Sequence, residues 1–280
     1  MTRHEWWQQA TARLTAAGCE DAAFDARCLL EDIGGLPRGH LPDAQPLAAS
    51  QIEQLERALK RRADGYPLQY ILGQWDFLTL TLRVGEGVLI PRADTEVLCE
   101  TAADYLRTVP APRVLDLCAG SGCVGLGIAS LCAQACVTAV ELSTQAFDYL
   151  QDNIARYPAL SVEAVSGDVL HDAARFADDY DAIVSNPPYI PTADMDGLMR
   201  EVHYEPRMAL DGSADGLRFY RVIADTWSYK LRDGGLCAVE VGAGQARAVA
   251  DLFTAAGLTD VRAVNDLGDI PRVVCGIRRK

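Results

Sequence analysis

The sequence contains no run of about eighteen apolar residues, so no membrane-spanning helix is expected. Its first residues, MTRHEWWQQATARL, carry no apolar stretch leading to a small-residue cleavage site, and a cytoplasmic protein is the expectation. The nine cysteines include no CxxC pair. Scattered through segments that otherwise read as core helix or strand, they are expected to be small buried hydrophobes, not disulfides or metal ligands. Cys118 with Cys123 and Cys132 with Cys136 are the closest pairs, and no histidine stands near enough in sequence to complete a tetrahedral zinc site. The four histidines are far apart and in no hydrolase or metalloprotease motif, so no metal is expected. Concentrated positive charge is also scarce. The net charge is −13, with 10 basic and 12 acidic residues up to Arg92 and 16 basic and 27 acidic after it. Nucleic-acid binding draws affinity from Lys and Arg that displace counterions from phosphates, so no direct nucleic-acid contact is expected. Lys60-Arg61-Arg62 is the densest cation cluster and reads as a solvated helix end.

What is present is ordinary globular material. Apolar residues make up 49% and charged ones 23% of 280 residues, enough for one large domain and a smaller one. Residues 1–74 read as a small N-terminal helical bundle. Trp6, Trp7, Ala10 and Leu14 fall near helical spacing before Gly18, and Phe24, Cys28, Leu29 and Ile33 do so before Gly34-Gly35. Ser50 with Glu53 fits a capping box opening a helix whose Ile52, Leu55 and Leu59 share a face. Over residues 75–92 the period drops to two. Leu78, Leu80, Leu82 and Val84 alternate with Thr79, Thr81 and Arg83, and Gly85-Glu86-Gly87 is the expected turn of a connecting β-hairpin that returns through Val88 to Pro91.

Residues 93–280 read as an α/β domain. RVLDL, ACVTAVEL, SVEAVSGD, DAIVSN and LCAVEVG are strand-like, and CVGLGIASLC, TQAFDYLQDNIARY and the stretch around 215–231 are helical. Such alternation predicts a mainly parallel sheet with helices on both faces. The runs VRAVND and RVVCGIR have no convincing helix between them, which predicts an antiparallel finish.

Residues with chemical potential gather at the ends of these strands. Cys118-Ala119-Gly120-Ser121-Gly122 follows RVLDL and enters a helix; glycines there allow a tight bend and close approach of a ligand, although a structural turn or a dinucleotide site would use them too. Glu141 ends the next strand, placed either to accept both hydroxyls of a ribose or to cap a helix. Asp168 ends the third, with an adenine amino group or a turn as its partner. The fourth runs into Asn186-Pro187-Pro188-Tyr189, where two prolines remove backbone donors and leave carbonyl oxygens unsatisfied. An NH2 group needs acceptors, and the Asn186 side-chain oxygen with the Pro187 carbonyl supplies two, while Tyr189 can stack on a planar group.

Together these segments resemble one family, the peptide chain release factor glutamine N5-methyltransferases of the HemK/PrmC type. The likeness runs through PLQYILG at 67–73, VLIPRADTE at 88–96, VLDLCAGSG at 114–122, AVEL at 139–142, IVSNPPYI at 183–190, EPRMAL at 205–210, DGLRFYR at 215–221 and RVVCG at 272–276. It implies a class I (Rossmann-like) methyltransferase fold with a mainly parallel seven-stranded sheet, and S-adenosylmethionine as cofactor. It also implies that the N-terminal helical domain helps hold a class I release factor, whose Gly-Gly-Gln glutamine is methylated. On this resemblance Cys118, Ala119, Gly120, Ser121, Gly122, Glu141, Asp168, Val169 and Asn186 bind the cofactor. Asn186, Pro187, Pro188 and Tyr189 hold the target glutamine, with Asn186, Pro187 and Tyr189 as the catalytic set. Three positions differ from the usual pattern: Cys118 in place of glycine, Glu141 in place of aspartate and Val169 in place of an aromatic residue. An amide nitrogen is a poor nucleophile, so positioning and charge stabilisation must carry the catalysis. The rival readings are a ribosomal-protein glutamine methyltransferase, an adenine or cytosine amino-methyltransferase that flips its base from nucleic acid, and a non-catalytic binding protein on the same fold.

Overall fold

The computed structural model describes residues 1–279, and the chain forms two units. One comprises Met1–Gln74 with Met199–Tyr204, the other Trp75–Leu198 with Glu205 onward. In the first, α1 (Arg3–Ala16) opens on a reciprocal cap: the Thr2 hydroxyl accepts from the Glu5 N–H at 3.2 Å, and the Thr2 N–H donates to the Glu5 carboxylate at 2.8 Å. Trp6, Ala10 and Leu14 of α1 are buried, as are Ala26, Leu29 and Leu30 of α2 (Ala22–Asp32) and Leu55 and Leu59 of α3 (Ala49–Ala63). Helix α4 (Leu68–Leu72) ends at Gly73, which takes φ 71°.

Three local expectations fail here. Helix α3 begins at Ala49, so Ser50 lies inside it; the cap is formed by Gln51, whose side-chain oxygen accepts from the Ala48 N–H at 3.0 Å. Phe24 is 43% exposed, because the buried stripe of α2 runs through Asp25 and Ala26. Asp25 is buried in order to meet Arg62, whose guanidinium holds Asp25 at 2.6 Å and Glu201 at 2.7 Å. The Lys60-Arg61-Arg62 run is therefore not simply a solvated end: Arg62 is buried in ion pairs, and the Arg61 guanidinium lies over the Tyr66 ring at 4.0 Å.

A two-stranded hairpin follows, β1 (Gln74–Phe77) with β2 (Leu80–Arg83). Its turn is Leu78-Thr79, with Leu78 at φ 51°, and not the predicted Gly85-Glu86-Gly87. Period-two alternation fixed which leucines point inward but did not say where the chain reverses, and no glycine marks the reversal.

Helix α5 (Glu96–Leu106) then leads into an α/β unit of β3 (Arg113–Leu117), α6 (Cys123–Leu131), β4 (Cys136–Glu141), α7 (Thr144–Arg156), β5 (Val162–Ser166) and β6 (Tyr180–Ser185). The chain continues through α8 (Arg218–Asp225), β7 (Leu231–Glu240), α9 (Ala246–Ala255), β8 (Leu258–Asn265) and β9 (Pro271–Arg278). The sheet has seven strands in the order β5-β4-β3-β6-β7-β9-β8, parallel except for β9, which is antiparallel to both neighbours. Both faces are covered. Val114, Ala182, Val184 and Leu236 join Leu98, Ala102 and Ile128 in one core, and Leu115, Ile183, Cys237 and Val239 join Tyr220, Trp227 and Phe253 in the other. The unbroken burial of β6, with its apolar Ala182-Ile183-Val184 run, follows from coverage on two sides. Among the described residues no helix is long and apolar enough to cross a membrane.

Candidate active site

Strand β3 lies between β4 and β6, and here the strand order reverses: successive strands step one way through β4 to β5 and the other way through β6 to β7. In such sheets ligands bind in the crevice outside the carboxyl ends of the strands at the reversal. The register sets what meets there. Leu117 aligns with Val140 on one side and Ser185 on the other, so the segments beginning at Cys118, Glu141 and Asn186 start side by side. They border a cleft of about 870 Å³ of empty space, open mouth included. Cys118, Ala119, Gly120, Ser121, Glu141, Asp168, Val169, Asn186 and Pro188 line it; Gly122, Pro187 and Tyr189 do not.

The glycine-rich turn is built by positive φ at Cys118 (60°), Gly120 (55°) and Gly122 (83°). Gly122 serves packing instead of ligand approach, since a Cβ there would lie 2.6 Å from the Leu150 side chain. Cys118 adopts a conformation in which a side chain costs on the order of 1 kcal/mol and which glycine enters without that cost. Its thiol is driven well above the ordinary range by burial and by the Glu141 charge, so it is no nucleophile.

Glu141 is 9% exposed and anchors the turn: one carboxylate oxygen accepts from the Gly120 N–H at 2.8 Å and the other from the Ser143 N–H at 2.7 Å. Burial raises its pKa, and these backbone donors pull it back down. Each oxygen retains a lone pair for a further donor, so the group fits a ribose diol as well as tying the loop. Asp168 divides its roles in the same way. One of its oxygens accepts from the Leu170 N–H at 2.8 Å, which is turn capping, while the residue lines the cleft. Val169 is buried, its carbonyl accepting from the Trp227 indole at 2.7 Å. A ribose-competent carboxylate and an apolar wall of Val88, Val124 and Val169 fit S-adenosylmethionine.

Beneath the turn lies Asp116, which motif reading passed over. It is fully buried, accepts from the Gly125 N–H at 2.9 Å through one oxygen and leaves the other without a partner. Burial pushes its pKa up to about 8, with the Glu141 charge adding to the rise.

The Asn186–Tyr189 loop is held from behind. Tyr189 is threaded between Gly212 and Gly216, where added Cβ atoms would lie 2.7 Å from the Tyr189 Cα and 2.3 Å from its carbonyl oxygen. The Ile190 N–H and C=O bond the Leu210 carbonyl and Gly212 N–H at 2.9 and 2.8 Å, and the Gln245 amide donates to the Tyr189 carbonyl at 2.9 Å. The Tyr189 phenol does not open on the cleft as expected for a stacking platform. It faces Glu240, and burial, with the Glu240 charge added, pushes its pKa up to about 12. No described residue donates to the Pro187 carbonyl. The opposite wall joins two sequence motifs, since Glu205 is buried, pairs with Arg92 and accepts from the Ile90 N–H at 2.9 Å. Glu205, Gln245, Thr95 and Glu240 were missed because each is a lone polar residue whose partner is distant in sequence. Gly212, Glu205 and Thr95 do fall in or beside the segments carrying the family resemblance.

The strand order, with its antiparallel penultimate position, and the ribose-competent carboxylate beside an NPPY loop define a class I S-adenosylmethionine-dependent methyltransferase fold. Residues 5–73 match the PrmC N-terminal domain and residues 94–204 the methyltransferase small domain. The chain is 38% identical to the release factor glutamine methyltransferase of Caulobacter vibrioides, over 97% of this chain and 95% of that one. It is 41% identical to the one from Geobacter sulfurreducens, over 94% and 92%. The hMettl16 catalytic domain, solved in complex with MAT2A 3'UTR hairpin 6, has a similar fold, with a TM-score of 0.60 at 13% identity, covering 93% of this chain and 95% of that one. The chain belongs to the release factor glutamine methyltransferase family.

Proposed function

We propose that this chain transfers a methyl group from S-adenosylmethionine to the side-chain amide nitrogen (N5) of the glutamine in the Gly-Gly-Gln motif of a class I peptide chain release factor. The observation that carries this reading is the alignment of Leu117 with both Val140 and Ser185, which brings a ribose-competent Glu141 and the Asn186 amide to one cleft. S-adenosylmethionine supplies an electrophilic methyl group when bound. Glu141 would hold its ribose, Asp168 its adenine amino group and Val169 the face of the base.

The chain's own work is to prepare a weak nucleophile. The Asn186 oxygen in the cleft lining, together with the adjacent Pro187 carbonyl at its edge, which no described residue engages, would accept the two amide hydrogens, fixing the plane of the amide and turning its π face toward the donor. Positive charge grows on the nitrogen as the new bond forms, and two fixed acceptors stabilise it without reorganising. The amide is first methylated as a cation, which is a strong acid and loses its extra N–H proton to water without a strong base. Residues 1–74 would serve as the domain that grips the remainder of the factor, with 75–92 as connector and 93–280 as the catalytic domain. A nucleic-acid substrate is disfavoured because the densest cation cluster, Lys60 to Arg62, loses Arg62 to buried ion pairs.

Incubation with isotopically labelled S-adenosylmethionine and purified release factor, followed by mass spectrometry, should place one methyl group on the Gly-Gly-Gln glutamine. The label should vanish when that glutamine becomes alanine. Methylation of DNA, RNA or a ribosomal protein with the release factor left untouched would overturn the proposal.

A further inference from the structure

Beside Asn186 stand two buried polar residues, Thr95 at the edge of the cleft and Glu240 behind it, outside the cleft lining. Thr95, in the 3-10 turn Ala93–Thr95 that precedes α5, is 1% exposed; Glu240, the last residue of β7, is also 1% exposed. The Thr95 hydroxyl lies 2.6 Å from a Glu240 carboxylate oxygen and 3.2 Å from the Asn186 side-chain nitrogen. From these contacts we infer that Thr95 and Glu240 are positioning residues, a relay that sets which end of the Asn186 amide faces the cleft. The inference rests on the proposed role of Asn186 as acceptor for the substrate amide.

The available hydrogens decide the orientation. A hydroxyl has one hydrogen and two acceptor lone pairs, and a carboxylate has no hydrogen. Glu240 therefore takes the Thr95 hydrogen, and Thr95 can only accept from its other neighbour. That neighbour must present a donor, so the Asn186 NH2 turns inward and its oxygen turns toward the cleft that Asn186 lines. The flipped amide would face the Thr95 lone pairs with another acceptor and would offer the substrate NH2 a donor where it needs an oxygen. Rotation is thus penalised at both ends, although an isolated asparagine has no such preference. Burial raises the pKa of this carboxylate, while the Thr95 hydroxyl, the Arg272 guanidinium and the Tyr189 phenol that face it favour its charged, accepting form. Arg272 is itself fixed by Asp94 at 2.9 Å and Asp266 at 3.0 Å. Sequence hides the arrangement, since Thr95, Asn186 and Glu240 are separated by 91 and 145 positions along the chain from Thr95.

The test compares full-length wild type with Thr95→Val, which keeps the shape and removes the hydroxyl, and Thr95→Ser, which keeps the hydroxyl. With release factor as substrate, Thr95→Val should lower kcat about ten- to a hundred-fold, while S-adenosylmethionine affinity by calorimetry stays within about two-fold. Thr95→Ser should recover turnover to within about three-fold of wild type. In an Asn186→Ala background Thr95→Val should have little further effect, because both changes remove one function. An undiminished kcat in Thr95→Val, a Ser variant no better than Val, or full additivity with Asn186→Ala would overturn the relay. A second readout needs no substrate. In asparagine-labelled protein the Asn186 side-chain NH2 should exchange slowly with solvent in wild type and Thr95→Ser, and fast in Thr95→Val; equal exchange in all three would refute the relay. If wild type leaves the release factor unmethylated, the functional proposal fails and the exchange data still decide this one.

Discussion

Asp116→Asn should make the protein more stable, by an amount that grows with pH. The folded protein holds this carboxyl at a pKa of about 8, against an ordinary value of 3.8 in the unfolded chain. Between those values the folded state keeps a proton that the unfolded state releases, so the stability associated with Asp116 is full below the lower value and is lost as pH rises toward the upper one. Each pH unit in that window costs about 1.4 kcal/mol, which by pH 7 amounts to a penalty on the order of 4 kcal/mol. Asparagine is exempt from the titration. Its oxygen can still accept from Gly125, and its NH2 replaces the carboxylate oxygen that has no partner. Urea unfolding at matched ionic strength should show the variant gaining about 2–3 kcal/mol on wild type between pH 5.5 and 7.5, with unchanged m-value and a plateau above about pH 8. Glu240, also buried and raised, is common to both proteins and cancels in the difference. Asp116 does not line the cleft, so cofactor affinity should be unaltered. A stability difference independent of pH would refute the reasoning, since it would mean that the carboxylate ionises in the folded protein at no extra cost.

Removing the ribose acceptor by Glu141→Ala should weaken S-adenosylmethionine binding by roughly 1.5–3 kcal/mol, about ten- to a hundred-fold; unchanged calorimetric affinity in a folded variant would exclude that role. Asn186→Ala should lower kcat/KM by at least about a hundred-fold, some 2.7 kcal/mol, without unfolding the protein. Asn186→Asp should keep a small residue of that activity, because it still accepts hydrogen bonds but can no longer donate to Thr95. The kcat of wild type should rise with pH through the ionisation of Glu240, which burial pushes up to about 7. Thr95, Arg272 and Tyr189 favour its anion, Asp94 opposes it, the Tyr220 phenol donates to its main-chain carbonyl, and the Cys99 and Cys123 thiols feel its charge. In Glu240→Gln this limb of the profile should disappear; its persistence would assign the ionisation elsewhere.

Much of this molecule was legible in its sequence because the signals are local. The RVLDL strand coincides with β3, and the other α/β strands and helices carry periods that burial on one or two faces imposes. Helices α5 and α9 left weaker marks. Only Val249 and Phe253 of α9 are buried, and the buried face of α5 is mostly alanine and cysteine, so neither gives a strong apolar stripe. The cation run from Lys60 to Arg62 read as solvated, since nothing nearby in sequence announces Asp25 or Glu201. The NPPY loop and the glycine-rich turn could be named as a site from their residue types alone. What they could not supply is the proximity that makes a site. Parallel register brings Leu117 beside both Val140 and Ser185, and only the fold closes the distances from Thr95 to Asn186 and Glu240. Conformational preference and periodicity act over a few residues and survive in the sequence. Hydrogen-bond partners and buried charge depend on which distant segments are packed together, and that the tertiary structure alone decided.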